Sequence, residues 1–402
     1  MLQSASPRRE GGPHESEDGT YASEELLLRE TVRRFMTNDV RPAEEGLPHD
    51  AYKLPKEQLD RLQKKARELG LWNVQSPEEH GGAGLSLVGQ VIVAEEAAKC
   101  RMGAYIPACG AFGFDPPSVI FRGSQAQIEK YARPAIERGE KAFFAISEPS
   151  GGSDPARAIR TTARREGDEY VLNGTKFWIT AANESTWGIV FARVGAEKSR
   201  EGITCFIVDM NRPGVSHTVI PVIRSYAPFE LHFENYRIPV ENRIGEEGQG
   251  FQLVNDLLVH GRVPYAAGTI GVAQAALELA IDWAKQRQTF GALLADRQAI
   301  QWMLADSEIE LRAARLLVLD AARRADAGQD IKMESSVAKV FATETAGRVV
   351  DRCIQILGGM GVAQEMPLER WYREMRIKRI GEGPSEVQRL VVARNLLGSR
   401  TR

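Results

Sequence analysis

The sequence predicts an α+β multidomain protein, helical at both ends with an antiparallel β unit between. Three observations predict it. Apolar residues recur at helical spacing before residue 140 and again from residue 250 onward. From about Ala142 to Ile244 short β-like runs replace them, such as "AFFAIS", "EYVLNGTKFWIT", "WGIVFARV", "GITCFIVDM" and "LHFENYRIP". A chain of 402 residues also exceeds what one small core accommodates. The expected division is a disordered tail at 1–20, a helical domain at 21–140, a β domain at 141–246 and a helical bundle at 247–402.

Each element has its own warrant. The first twenty residues, "MLQSASPRREGGPHESEDGT", mix acids with arginines and lack an apolar stretch, which suits a solvated tail and not a secretory leader. Leu27, Val32, Phe35 and Met36 place one apolar face on a helix over 23–45; Leu59, Leu62 and Ala66 do so over 55–70. Gly70, Pro77, Gly81, Gly82 and Gly84 interrupt the pattern, and helices are expected again at 87–99 and 125–137. In the β unit, Gly167-Asp168, Asn173-Gly174 and Arg212-Pro213-Gly214 read as turns. Trp178 and Thr180, two apart, are expected on one strand face, an aromatic beside a hydroxyl that suits a flat heterocycle. Helices over 250–286, 296–326, 331–357 and 384–397 compose a bundle. Val350, Ile354 and Leu357 are helically spaced, so the glycines of "QILGGMGV" end a helix; a dinucleotide fingerprint would need a strand before them.

Composition excludes several functions. With 43% hydrophobic and 26% charged residues the chain is of soluble globular type. The net charge is -2 with no dense basic run, so nucleic acid is not an expected partner. No apolar run approaches a membrane span. The six histidines form no HExxH motif, and no catalytic metal is expected. Cys100, Cys109, Cys205 and Cys353 are scattered, as reduced thiols of a cytoplasmic protein would be. "GPSEV" lacks the final glycine of a serine-hydrolase elbow.

Two stretches draw attention as sites. "ISEPSGGSDP" gathers Ser147, Gly151, Gly152 and Ser153, hydroxyls and bare amides that either approach a ligand or form a polar turn. "KRIGEGPSEV" sets Glu382 between Gly381 and Gly383, just before a helix start. That is either a plain turn or a place where something comes close to a carboxylate.

In order along the chain, "PEEHGGAGLS", "ISEPSGGSDP", "NGTKFWITAA", "RQTFG", "RQAIQ", "QILGGMGV" and "EGPSEVQRLVVAR" resemble the acyl-CoA dehydrogenase family over about residues 22–398. The resemblance implies a helical N-terminal domain, a middle antiparallel β-barrel domain and a C-terminal four-helix bundle. It implies bound FAD, an acyl-CoA substrate oxidised to the 2-enoyl-CoA, and an electron-transferring flavoprotein as acceptor. A homotetramer or homodimer is implied, with a neighbouring subunit completing the FAD site. By position, the flavin ring meets Phe144, Ile146, Ser147, Trp178, Ile179 and Thr180, with Gly152 alongside. Ser153 touches both FAD and the acyl-CoA. Arg287, Thr289, Phe290 and Gln298 match contacts from the adjacent subunit, and Gln355, Gly358 and Gly359 the adenosine end. Glu386 matches a further cofactor-side position, and Arg262, Gly381 and Gly383 lie on the substrate side.

Glu382 takes the place of the family's catalytic base; some members carry that base where this chain has Gly261. The chain departs from the pattern at Gly381, often aromatic in the family, and at Pro384 and Glu386. Val259 and His260 replace a frequent acid, and "RSYAPFELHF" lacks a usual Ser-x-Thr. An opened space at Gly381 is expected to admit a branched, cyclic or polar acyl group. The same fold also hosts oxidases, monooxygenases and desulfinases, and an acyl carrier protein is the alternative thiol carrier.

Overall fold

The computed structural model describes residues 20–195 and 200–398. The expected tail, apart from Thr20, lies outside the described residues. Helices Ser23–Phe35, Lys56–Glu68 and Leu87–Ala97 open the fold. The expected helices over 23–45 and 125–137 each pass through a wide π turn, Met36–Val40 and Ile128–Ala132. A proline follows each turn closely, Pro42 and Pro134. Proline has no N–H, and its ring crowds the carbonyl four residues back; a widened turn absorbs both defects without ending the helix.

Leu87–Ala97 is buried among the C-terminal helices. Leu87, Val88, Val91 and Ile92 share one core with Val263, Ile270, Leu311 and Val318. Asp326, the last residue of the helix Gln298–Asp326, caps the Leu87–Ala97 helix by accepting the N–H groups of Leu87 and Val88 at 2.7 and 3.0 Å. Gly271 permits the closest approach: a Cβ there would stand 1.9 Å from the Glu95 carbonyl oxygen. Charges buried at this junction are paired. Arg315 holds Glu95 at 2.7 Å, while Glu96 meets Arg29 and Lys99, each at 2.9 Å. Burial alone would raise the Glu96 carboxyl; its cations outweigh it and hold the pKa at about 2.

The β unit comprises β1 (Phe143–Ala145), β2 (Thr162–Glu166), β3 (Glu169–Ile179), β4 (Trp187–Arg193), β5 (Ile203–Asp209), β6 (Val215–Val219), β7 (Phe229–Pro239) and β8 (Arg243–Ile244). Hydrogen bonds order them β6-β7-β3-β2-β4-β5-β8, with β1 on β4. Most pairs are antiparallel, but β1 runs parallel to β4, and β2 meets β4 in parallel at Thr162 and Arg193. The unit is therefore mixed, because the β2–β3 hairpin separates β1 from β4 and brings the chain back in the same direction. Phe143, Tyr170, Val190, Phe206, Leu231, Phe233 and Tyr236 fill one interior lined from both halves of the order.

Asn173-Gly174 is not a turn. β3 continues through it, and the register shifts between Leu172 and Gly174. Gly174 has φ 145°, and a Cβ there would lie 2.6 Å from the Thr161 hydroxyl. The dipeptide serves a bulge, which needs the same freedom as a turn.

The bundle contains Gly250–Ala284, Gln298–Asp326, Lys332–Leu357 and Ser385–Leu397. The periodicity reading omits a further helix, Leu368–Lys378, which buries Leu368, Trp371 and Met375. Gly358, at φ 62°, ends Lys332–Leu357 as the glycine pattern predicts.

Candidate active site

A cleft of about 2230 Å³ lies where the β unit, the C-terminal helices and the N-terminal region around Tyr105 and Phe114 meet. It brings together Phe144, Ile146, Ser147, Gly152, Ser153, Trp178, Ile179 and Thr180 with Arg262, Gly381, Glu382 and Gly383. Gly261 also lines it.

The β-side wall is shaped by a second irregularity of β3, between Lys176 and Ile179. Trp178 sits there with φ 67° and remains 53% exposed, its ring against Phe177. Trp178 and Thr180 both face the cleft, as the expected heterocycle contact requires, but the bulge puts them there, not strand alternation. The Thr180 hydroxyl accepts from Arg224 at 3.2 Å. The Ser147 carbonyl accepts the Phe177 N–H at 2.8 Å, which draws the loop at 146–153 alongside β3. Below that loop Lys176 is fully buried and donates to Glu148 at 2.7 Å. Glu148 also accepts the N–H groups of Arg160 and Thr161. Burial draws Lys176 down to about 8, against the pull of Glu148. Lys176 and Glu148 are the anchor of the loop, and the sequence motif does not single them out.

Glu382 occupies a left-handed turn, with φ 55° there and 88° at Gly383. Its carbonyl accepts from Arg262 at 2.9 Å and Gln388 at 3.3 Å. The Gly383 carbonyl accepts from Lys339 at 2.9 Å and again from Gln388. The Glu382 N–H has no intramolecular partner among the described residues. Lys339 is drawn down to about 8 by burial, with Glu382 opposing. Arg262 thus grips the backbone of the turn.

Gly381 does not open a space. A Cβ there would lie 2.5 Å from the Tyr265 hydroxyl. Tyr265 fills the room that the missing side chain would leave, and its hydroxyl reaches the Lys378 carbonyl at 3.3 Å. The expectation of an enlarged acyl pocket at this point is corrected accordingly. Tyr265 follows Arg262 by three residues on a helix, so the two share a face; that spacing was the available signal. Tyr105, Arg224 and Tyr226 also line the cleft and carry no motif of their own.

Other sequence candidates stand apart from this cleft. Arg287, Thr289, Phe290, Gln298, Gln355, Gly358, Gly359 and Glu386 are not in its lining. Phe290, at φ 48°, is fully exposed on the small hairpin of Gln288–Thr289 with Ala292–Leu293. Gln298, Gln355, Gly358, Gly359 and Glu386 are exposed as well. The cleft itself fits a large flat cofactor: it is roomy, floored by a half-exposed indole and edged by Ser147 and Thr180 hydroxyls.

Comparison with known proteins agrees over most of the chain. Family models for the acyl-CoA dehydrogenase N-terminal, middle and C-terminal domains match residues 22–139, 143–236 and 248–397. The chain is 40% identical over 388 residues to the mitochondrial short-chain specific acyl-CoA dehydrogenase of Rattus norvegicus, spanning 94% of this chain and 92% of that one. It is 38% identical over 384 residues to a 3-(aryl)acrylate reductase of Clostridium sporogenes, spanning 94% and 99%. The butyryl-CoA dehydrogenase structure from Megasphaera elsdenii superposes with a TM-score of 0.83 at 31% identity, covering 94% and 99%. Among the described residues no helix is long and apolar enough to cross a membrane. With three domain models matched in order and relatives of about 40% identity over most of its length, the chain belongs to the acyl-CoA dehydrogenase family of flavoprotein oxidoreductases.

Proposed function

We propose that the protein dehydrogenates an acyl-CoA thioester at its α,β bond, giving the 2-enoyl-CoA, with Glu382 as the base that removes the α-proton. One observation carries this reading: the Glu382 turn is pinned through its carbonyls, Glu382 lines the cleft, and its N–H has no intramolecular partner among the described residues. An α-C–H beside a thioester is a weak acid, and its removal puts negative charge on the thioester oxygen. A backbone N–H without an internal partner is the donor such an oxygen needs. Arg262 and Lys339, fixed beneath the turn, keep that N–H and the carboxylate in register.

Bound FAD supplies the two-electron acceptor for the β-hydrogen. Phe144, Ile146, Ser147, Gly152, Ser153, Trp178, Ile179 and Thr180 would hold its ring at the β-side wall. Arg287, Thr289, Phe290 and Gln298 would complete the site from another copy, which suits the exposure of Arg287, Phe290 and Gln298 here, while Gln355, Gly358 and Gly359 would hold the adenosine end and Glu386 a further cofactor-side position. Self-association is supported by Trp302, Ile309 and Leu316, exposed at seven-residue spacing on one helix face. An electron-transferring flavoprotein is the proposed acceptor of the reduced enzyme's electrons.

The test is Glu382→Gln, assayed anaerobically by flavin bleaching. The variant should keep FAD and bind acyl-CoA, yet lose at least ~10²-fold in reduction rate, the scale of a missing general base. Bleaching at near wild-type rate sinks the assignment.

A further inference from the structure

We infer that the part of the cleft around Arg224, Tyr105 and Tyr265 is a subsite for an acyl chain that ends in a carboxylate. The inference rests on the dehydrogenase reading above and specifies its substrate class.

Arg224 lines the cleft. One of its terminal nitrogens donates to Thr180, but Nε and Nη1 are shielded from solvent and have no hydrogen-bond partner. A buried guanidinium N–H without an acceptor is costly, and a ligand that brings acceptors removes that cost. A carboxylate matches the guanidinium fork in both shape and charge. The charged groups around it are Lys378 on the positive side and Glu374 and Glu382 on the negative side. Arg224 lies 3.8 Å from the Tyr105 ring centroid. Lys378, buried behind, lies 4.0 Å from the centroids of both Tyr105 and Tyr265. Of these acids, Glu382 belongs to the reacting end, while Glu374 has its Oε1 taken by the Tyr105 N–H at 2.7 Å and its carboxyl raised by burial, which also draws Lys378 down to about 8. Farther out, Lys141 and Lys53 share Glu184, at 2.6 and 3.0 Å.

Both tyrosines bring hydroxyls to the cleft, so the subsite also offers O–H groups where a methyl end would want apolar contact. An aryl end would want the open face of Tyr105, but the Arg224 guanidinium already covers a face of that ring. The subsite is close to the reacting end. A Cβ on Gly381, the residue bonded to Glu382, would lie 2.5 Å from the Tyr265 hydroxyl, so a short chain spans the gap.

The experiment compares glutaryl-CoA, pentanoyl-CoA and phenylpropanoyl-CoA on the FAD-loaded enzyme. Binding is measured by calorimetry in the Glu382→Gln background, where turnover is blocked, and bleaching is followed in the wild type. Glutaryl-CoA should bind at least about tenfold tighter than pentanoyl-CoA, as expected for one charged hydrogen-bonded pair. Arg224→Gln should collapse that ratio toward unity. Should this variant not retain its fold, Tyr105→Phe reads the same ratio, with a severalfold fall expected. Pentanoyl-CoA or phenylpropanoyl-CoA binding as tightly as glutaryl-CoA overturns the inference, and so does a ratio indifferent to both substitutions. If no thioester bleaches the wild-type flavin, the dehydrogenase reading fails, while the binding ratio still decides the subsite.

Discussion

Gly381→Ala should damage the site without touching any group that does chemistry. The added Cβ would lie 2.5 Å from the Tyr265 hydroxyl, and ordinary contact requires the two atoms to part by about 0.9 Å. Tyr265 cannot easily yield, since its ring packs against Lys378 and its hydroxyl is held by the Lys378 carbonyl. Gly381 is tied in turn to the Ile377 carbonyl at 3.2 Å and is bonded directly to Glu382. Overpacking of this kind costs about 1–3 kcal/mol. A displacement approaching one ångström at a reacting group costs as much as ~10² in rate. Urea denaturation reads the first quantity, and anaerobic stopped-flow flavin reduction reads the second. Tyr265→Phe alone should cost about 1 kcal/mol for its hydrogen bond. In the Gly381→Ala background it should instead restore part of the loss, giving a coupling of roughly 1–2 kcal/mol between the two positions. Wild-type stability and rate in Gly381→Ala, or costs that merely add in the double variant, would refute the reasoning.

Two further outcomes follow from buried ion pairs. Lys176→Met leaves Glu148 buried with only backbone donors and should destabilise the protein by roughly 3–5 kcal/mol in urea denaturation; a loss below ~1 kcal/mol would show that the pair does not anchor the loop at 146–153. Glu96 has a folded-state pKa depressed from 4.5 to about 2, so its contribution is complete above pH 4.5 and disappears as the pH falls toward 2. That shift corresponds to roughly 3 kcal/mol. Stability curves of the wild type and Glu96→Gln should therefore converge on acidification, and a gap that stays constant down to pH 2 contradicts the assignment.

The order helical, β, helical was readable because a period of 3.6 and a period of 2 leave different marks on the apolar residues. Phe144, Ser147, Trp178, Thr180, Arg262 and Glu382 were readable as candidates through local motifs, and the fold places them in one cleft. What escaped was geometry that depends on partners. Asn173-Gly174 reports a wish for unusual dihedrals, and nothing local says whether the chain then reverses or merely bulges. Trp178 obeyed alternation on paper, but a bulge two residues earlier resets which way a strand residue points. At Gly381 the sequence shows a side chain missing; only the fold shows that Tyr265, from a distant helix, has taken its room. Leu368, Trp371 and Met375 did carry a helical spacing, but Pro367 and the glycines around the segment hid it. Exposed candidates such as Phe290 and Gln355 have no partner to be read from one chain.

The left-handed turn at Glu382 also bears on how the sequence is kept. An L-residue with a side chain strains there by ~1–2 kcal/mol, and glycine does not. Random substitution therefore drifts downhill toward glycine at this position, and each such step would make the protein easier to fold. Only selection for what the carboxylate does can hold a glutamate on that slope. A chain reading Gly-Gly-Gly at 381–383 would be the more stable molecule and would have lost the base proposed above.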